Sequence, residues 1–373
     1  MLNADYGAVA STAVHLKELA AEQNKDVFFV NNGDHVEGSG LSDASMYEEG
    51  IHGYDLFPLI SMMPFDALNI GNHDLYDNST VDYMRSSGFI DGWNGNYLTS
   101  NTIYKPTGEN LGSRYTILEG PNSGVKLLTF GFLYHMKDNC DTVTVEDPSD
   151  TVSSDWFRDA VTSAMKEGVS AVLVLSHMDL KNEYLNVILK AIRSRADEFP
   201  QLENMPVQFI TGHTHYRGFT GVDAHSSSFE AGHYLDTVGF VSFDLPQGDE
   251  VEATEETVFN HQFVDANMDS LVSLSGKTSD TFHEKVGMKI TKEIKRVVGK
   301  LGLGEVIACP DKEYKNNAPL ESENSLYKLY MDKLIPTSVF PPASAASGNM
   351  QYHITSTGSL RYNIYKGKFY YGK

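Results

Sequence analysis

Residues 1 to about 245 read as an α/β protein, on three observations. Short aliphatic and β-branched runs recur between turn residues, the pattern of strands covered on both faces. Helix-like stretches separate these runs, which is the alternation of α/β units. Several runs also stop abruptly at His, Asn or carboxylate side chains. A core cannot hold such groups, whereas the carboxyl ends of strands in an open α/β sheet are where ligands bind.

Taken in order, Val9, Ala13, Val14, Leu16 and Leu19 fall at roughly helical spacing and predict an amphipathic helix near the start. Asp26-Val27-Phe28-Phe29-Val30 predicts a strand that runs into Asn31-Asn32-Gly33-Asp34, with Glu37-Gly38 just beyond. The run Phe65 to Ile70 ends in Gly71-Asn72-His73-Asp74. Asp155 to Lys166 reads as a helix, Ala171 to Leu175 as a strand ending at Ser176-His177, and Glu183 to Phe199 as a second helix. Val207 to Ile210 is the next strand, closed by Thr211-Gly212-His213-Thr214-His215.

An acidic passage then opens at Pro246-Gln247-Gly248-Asp249-Glu250 and includes Glu252, Glu255 and Glu256. It predicts a surface turn before a last strand near Thr257 to Val264. Thr281 to Leu301 predicts a helix leading into a second domain, so the expected division is residues 1–270 and 271–373. The second part holds a helix at Ser325 to Leu334, a Pro/Ala/Ser loop at Pro341 to Gly348 and strands near the end. No internal repeat or coiled-coil heptad is visible.

A lone His or Asn at a strand end usually belongs to a turn. Here Asp34, Asn72, His177, His213 and His215 all follow predicted strands, and their recurrence argues for one common site. His15, His52, His135, His225, His261, His283 and His353 lack ligand spacing and read as structural or exposed. His35 faces either phosphate or solvent and stays outside the catalytic set. Glu37 and Gly38 shape the loop, with Gly38 free to adopt a conformation closed to other residues.

The ordered motifs Gly33-Asp34 with Glu37-Gly38, Gly71-Asn72-His73-Asp74, Ser176-His177 and Gly212-His213-Thr214-His215 resemble those of the calcineurin-like metallophosphoesterases, within them the 5′-nucleotidase group. Ala231-Gly232-His233-Tyr234-Leu235-Asp236-Thr237-Val238-Gly239 and Thr357-Gly358-Ser359-Leu360-Arg361 look like segments of its fungal branch. The resemblance implies a two-sheet sandwich flanked by helices, followed by a partial α+β 5′-nucleotidase C-terminal domain. It also implies two divalent metal ions, which together activate a water and neutralise the attacking and leaving oxygens at phosphorus.

On that resemblance one ion takes Asp34, Asn72, His177 and His213, a complete shell. Its mixed nitrogen and oxygen donors suit Zn, Mn, Fe or Co better than calcium. His215 and the shared Asp34 serve the other ion. His73 would protonate the leaving group, with Asp74 orienting its ring. Asn72 and Arg361 would touch substrate, although the segment around Arg361 departs from the nucleotidase pattern, which puts nucleotide specificity in doubt.

The chain departs from the family at its start, where no Asp-x-His motif precedes Asp34. The favoured expectation is truncation at both ends; a single-metal or inactive remnant that binds metal or a partner, and replacement of the ligands by other residues, stay open. Residues 1–373 alone are expected to hydrolyse weakly or not at all.

Composition bounds the partners. A formal charge of −21 argues against long nucleic acids, whose affinity comes from Lys and Arg on phosphates. A small phosphorylated substrate, a nucleotide by resemblance, still fits, because a metal site inverts local electrostatics. No apolar stretch approaches the roughly 18 residues of a membrane span. Cys140 and Cys309 are expected to be free thiols. No signal peptide is visible, the sequon Asn78-Ser79-Thr80 is an easy chance match, and a secretory or vacuolar location follows from resemblance only. Oligomeric state is not legible.

Overall fold

The computed structural model describes residues 4–45, 50–245, 256–339, 360 and 362–371. The chain divides into two compact units, Met1–Leu301 and Gly302–Lys373. The break falls later than the expected 270/271, because the helices after residue 267 pack back onto the first helix.

In the first unit, α1 (Tyr6–Ala21) is capped by Asp5, whose side chain accepts from the Ala8 N–H. Its first two turns are buried all round rather than on one stripe. The cause is a close crossing with α9 (Lys285–Lys300), where a β-carbon on Gly7 would stand 2.3 Å from the Gly287 carbonyl. Between them α8 (Met268–Leu274) and a hairpin of β13 (Thr237–Ser242) and β14 (Asn260–Asp265) complete an apolar cluster around Val9, Leu271, Phe282 and Ile290.

Two sheets face each other. The smaller has parallel β1 (Val30–Asn31), β2 (Ala67–Asn69) and β3 (Tyr97–Leu98) in that order. Short antiparallel β4 (Thr102–Tyr104), β5 (Glu109–Asn110) and β8 (Val143–Val145) form a separate rim. The larger sheet contains β6 (Tyr115–Glu119), β7 (Lys126–Leu133), β9 (Ala171–His177), β10 (Val207–Thr211), β11 (Arg217–Asp223) and β12 (Ser226–Ala231), in the order 11-12-10-9-7-6. All seven residues of β9 are buried, as a central parallel strand requires. Ala67, Leu98, Leu127, Leu173 and Leu175 fill the space between the sheets.

Helices cover both outer faces. Along α6 (Asp155–Lys166), Phe157, Ala160, Val161, Ala164 and Met165 point inward at the 3.6-residue period. With α5 (Pro148–Ser153) and α7 (Glu183–Arg193) they bury Phe130, Phe132 and Phe209 of the large sheet. On the small sheet α2 (Gly40–Ala44), α3 (Phe57–Ile60) and α4 (Asn78–Ser86) lie beside the chain that bears Leu68 and Ile70.

Two expected elements are shorter than predicted. Residues 26–29 stay out of the ladder, because the Asp66 carboxylate takes the Phe29 N–H at 2.6 Å. The second is α7, which stops at Arg193 rather than at Phe199. There the guanidinium bonds the Leu202 and Glu203 carbonyls and the Asp223 carboxylate, and the chain turns back toward them.

The second unit pairs β15 (Val306–Ala308) with β16 (Phe369–Tyr370). Its helix α10 (Leu326–Leu329), capped by Ser325, continues as a wider helical segment to Val339. The loop predicted at Pro341 to Gly348 and the acidic passage at 246–255 lie outside the described residues. Cys140 and Cys309 are both free thiols. Among the described residues no helix is long and apolar enough to cross a membrane.

Candidate functional site

Four loops that follow parallel strands converge at the carboxyl ends of the two sheets. Asp34 comes after β1, Asn72 and His73 after β2, His177 closes β9, and His213 and His215 follow β10. The first two loops touch only because residue 71 is glycine: a β-carbon there would sit 2.1 Å from Asp34 Oδ1.

Backbone strain marks the same place. Among the described residues eight non-glycine positions have positive φ, and six of them are Asp34, Glu37, His213, His215, Tyr234 and Leu235. The other two, Asn24 and Asn94, are of a type that tolerates this conformation. Each of the six costs on the order of 1 kcal/mol or more, and such residues persist where the surroundings over-determine them, commonly at functional sites.

His177 is held from behind. Its Nδ1 is 2.7 Å from the Asn32 carbonyl, which can only accept, so Nδ1 carries the proton. Its buried Nε2 stands 3.0 Å from Asp34 Oδ2 but out of line for a hydrogen bond, and has no other partner. A lone pair and a carboxylate oxygen this close fit a shared cation. Beside them His213 Nδ1 lies 2.9 Å from Asn72 Oδ1, and Asn72 Nδ2 donates to the Tyr76 hydroxyl at 3.0 Å, which fixes the amide's orientation. The His177 and His213 rings are 5.6 Å apart.

The predicted set is therefore gathered as two adjacent pairs, Asp34 with His177 and Asn72 with His213. It is not collapsed on one point, because His213 is spent on Asn72. Among the described residues the one group whose imidazole and carboxylate donors all lie within 4.8 Å is His15, Glu18 and Glu284, away from the strand ends. There His15 Nε2 donates to the Phe282 carbonyl at 2.8 Å and Lys277 stands 3.5 Å from Glu18, the arrangement of a staple between elements.

Charges reinforce one another at the site. Burial pushes the Asp34 carboxyl up, but the imidazoles of His177 and His73 outweigh it and hold it well below the usual carboxylate range. Burial would lower His177, and the Asp34 charge reverses this, so its pKa is raised. His213 is lowered by burial and by His177.

One expected role is corrected. Asp74 does not orient His73. Its carboxylate is fully buried and accepts from the Gly71, His35 and Val36 N–H groups and from His35 Nδ1, so it ties the two loops together. The ring of His73 instead has Nδ1 at 2.6 Å from Glu37 Oε2, and its backbone N–H donates to Asp34 Oδ1 at 2.9 Å. His35, expected to face phosphate or solvent, faces inward between Phe89 and Tyr97.

His215 stacks flat on His233 at 4.9 Å, with Tyr234 edge-on to both. Arg361 lies outside the described residues. Sequence reasoning missed Glu37, Tyr76 and His233. Gly232-His233-Tyr234 was noticed as a segment, and Glu37 as a loop residue, but no spacing rule tied either to the histidines they meet.

The family profile described as calcineurin-like phosphoesterase matches residues 5–217, and that described as NAD nucleotidase, C-terminal domain, matches residues 313–373. An uncharacterized protein of Saccharomyces cerevisiae is 29% identical over 98% of this chain and 61% of its own length. A 2′,3′-cyclic-nucleotide 2′-phosphodiesterase/3′-nucleotidase of Yersinia enterocolitica is 27% identical over 45% of this chain and 27% of its own. The crystal structure of 5′-nucleotidase from Candida albicans superposes with a TM-score of 0.83 at 24% identity, over 99% of this chain and 66% of that one, and shares its fold. The chain thus spans about three fifths of the Saccharomyces relative. With the profile covering more than half of its residues and the strand-end histidines in place, the chain belongs to the calcineurin-like phosphoesterases.

Proposed function

We propose that this chain carries the catalytic centre of a divalent-metal-dependent hydrolase of small phosphate esters, with nucleotides as the substrate class. The single observation that supports it best is the pairing of buried His177 Nε2 with Asp34 Oδ2 at 3.0 Å, beside Asn72 and His213. Asp34, Asn72, His177 and His213 would hold one cation, and Asp34 with His215 would contribute to a second. Cations there would supply Lewis acidity at phosphorus and make a water acidic enough to react near neutral pH.

The chain's own residues do the rest. The Asn32 carbonyl holds His177 in the tautomer whose Nε2 is free to ligate. Tyr76 keeps the Asn72 oxygen turned toward the site. His73, half-exposed, keeps a proton on Nδ1 toward Glu37, which turns Nε2 to the substrate; the imidazolium form, with a second proton on Nε2, would give that proton to a departing alkoxide and return to the neutral ring. The names of the Candida and Yersinia relatives point to nucleotides, as does the nucleotidase profile over residues 313–373.

A second reading, cation binding without turnover, draws on the donors of the second ion. Of the two donors assigned to that ion, Asp34 is paired with His177 and His215 lies against His233. Hydrolysis of AMP, UDP-glucose, bis(p-nitrophenyl) phosphate and p-nitrophenyl phosphate, with Mn²⁺ and then with chelator, separates the two. The proposal expects weak, chelator-sensitive turnover of at least one ester. Cation uptake with no turnover of any would replace it with the second reading.

A further inference from the structure

We propose that Glu37 is the positioning residue of His73. The inference rests on the hydrolase reading above and concerns how its proton donor is aimed. Glu37 Oε2 lies 2.6 Å from His73 Nδ1, and Oε1 lies 3.2 Å from His52 Nδ1. A carboxylate can only accept, so Nδ1 of His73 carries hydrogen and the ring's free edge is Nε2.

Among the described residues no other carboxylate pairs with the His73 ring. Asp74, its sequence neighbour, is spent on His35, Val36 and Gly71, and Asp34 takes only the His73 backbone N–H.

The loop holds Glu37 in this pose at a cost. Its φ is 68°, a left-handed conformation unfavourable for a side chain of this size. Several contacts enforce it: the Glu37 N–H donates to Ser42 Oγ at 2.6 Å and the Gly38 N–H to Asp43 Oδ1 at 3.0 Å. The Tyr234 ring presses on Gly38, where a β-carbon would meet it at 2.6 Å. His52 is anchored in turn by its N–H donating to Thr80 Oγ1 at 3.0 Å. Glycine would relieve the strain at position 37, so a glutamate kept there points to a use for its side chain rather than to loop stability.

The test uses the full chain with Glu37→Gln and Glu37→Gly, the latter compatible with the left-handed backbone. Two substrates are compared: p-nitrophenyl phosphate, whose phenolate leaves without a proton, and AMP, whose alkoxide needs one. Glu37→Gly, which removes the aiming contact, is expected to lower kcat on AMP by about 10²-fold, with less than about threefold change on p-nitrophenyl phosphate and unchanged KM, and Glu37→Gln, whose amide oxygen still accepts from Nδ1, to lose less. Equal losses on both substrates would overturn the proposal. A second readout does not depend on turnover. In ¹⁵N-histidine spectra, with His73 assigned by His73→Ala, the wild type should show a protected Nδ1 proton that Glu37→Gly loses and that Glu37→Gln, whose amide oxygen still accepts, retains. An unchanged His73 signal in Glu37→Gly would overturn the proposal. Wild-type inactivity on every ester would bring down the hydrolase reading, and the spectra alone would then decide the Glu37 pairing.

Discussion

The two sides of the large sheet are built on opposite terms. Behind it, α5 to α7 bury Phe130, Phe132, Phe157, Ile188 and Phe209 in an apolar layer, with the Phe130 and Phe157 rings stacked at 4.7 Å. At its carboxyl ends, buried polar groups crowd together, six side-chain-bearing residues adopt left-handed backbone, and His177 Nε2 lacks a hydrogen bond. The back layer gains stability from burial; the strand ends give some up to hold ligands in one orientation. A change behind should therefore be read in stability, and a change at the strand ends in chemistry.

The largest expected effect is behind the sheet. Phe157→Ala should cost about 3–5 kcal/mol of stability, measured by urea denaturation, while Mn²⁺ affinity of the folded fraction stays as in the wild type. A parallel loss of affinity would mean the two sides are not separable. Next comes Asp34→Ala, expected to lower Mn²⁺-dependent hydrolysis by the folded fraction by about 10²–10³-fold. Retained hydrolysis would remove Asp34 from the site.

Gly71→Ala sits between these extremes, since its new β-carbon would strike Asp34 Oδ1 and the Asp34 backbone. It should cost about 1–3 kcal/mol and weaken cation binding as well, a combination that neither of the first two variants shows. Normal cation titration of Gly71→Ala would argue against tight contact of the loops.

The smallest effect concerns Asp223, remote from the site. Burial pushes its carboxyl up, but hydrogen bonds from Arg193, Ser226 and His225 outweigh this and hold it below its ordinary value. A depressed carboxylate contributes stability above the unfolded pKa of about 4, and loses that contribution as pH falls through the folded value. Asp223→Asn should lower stability at pH 7 by less than about 1 kcal/mol for so exposed a pair, read as a slightly lower melting temperature. The difference from wild type should shrink as pH falls below the unfolded value of about 4 and through the depressed folded one. A difference that persists there would assign it to packing.

Legibility in the sequence followed the same divide. The helix over 155–166 and the strand beginning at Ala171 were readable because periodicity reports burial directly. The strand-end placement of Asp34, Asn72, His177 and His213 was readable because a polar side chain closing an apolar run has few places to go. The Asp74 role was misread because adjacency suggests partnership, whereas successive residues on a helical turn point apart. Glu37 was hidden for the converse reason: it reaches His73 across 36 positions, through a strained turn that no propensity foretells. The strand at 26–30 was over-long because the apolar run does not reveal that Asp66 takes the Phe29 amide.

Isothermal titration of residues 1–373 with Mn²⁺, run beside His177→Ala and His15→Ala, tests the central claim most directly. A shell built on Asp34, Asn72, His177 and His213 predicts saturable binding that His177→Ala abolishes and His15→Ala leaves intact. Binding that survives His177→Ala, or that disappears with His15→Ala, would contradict it.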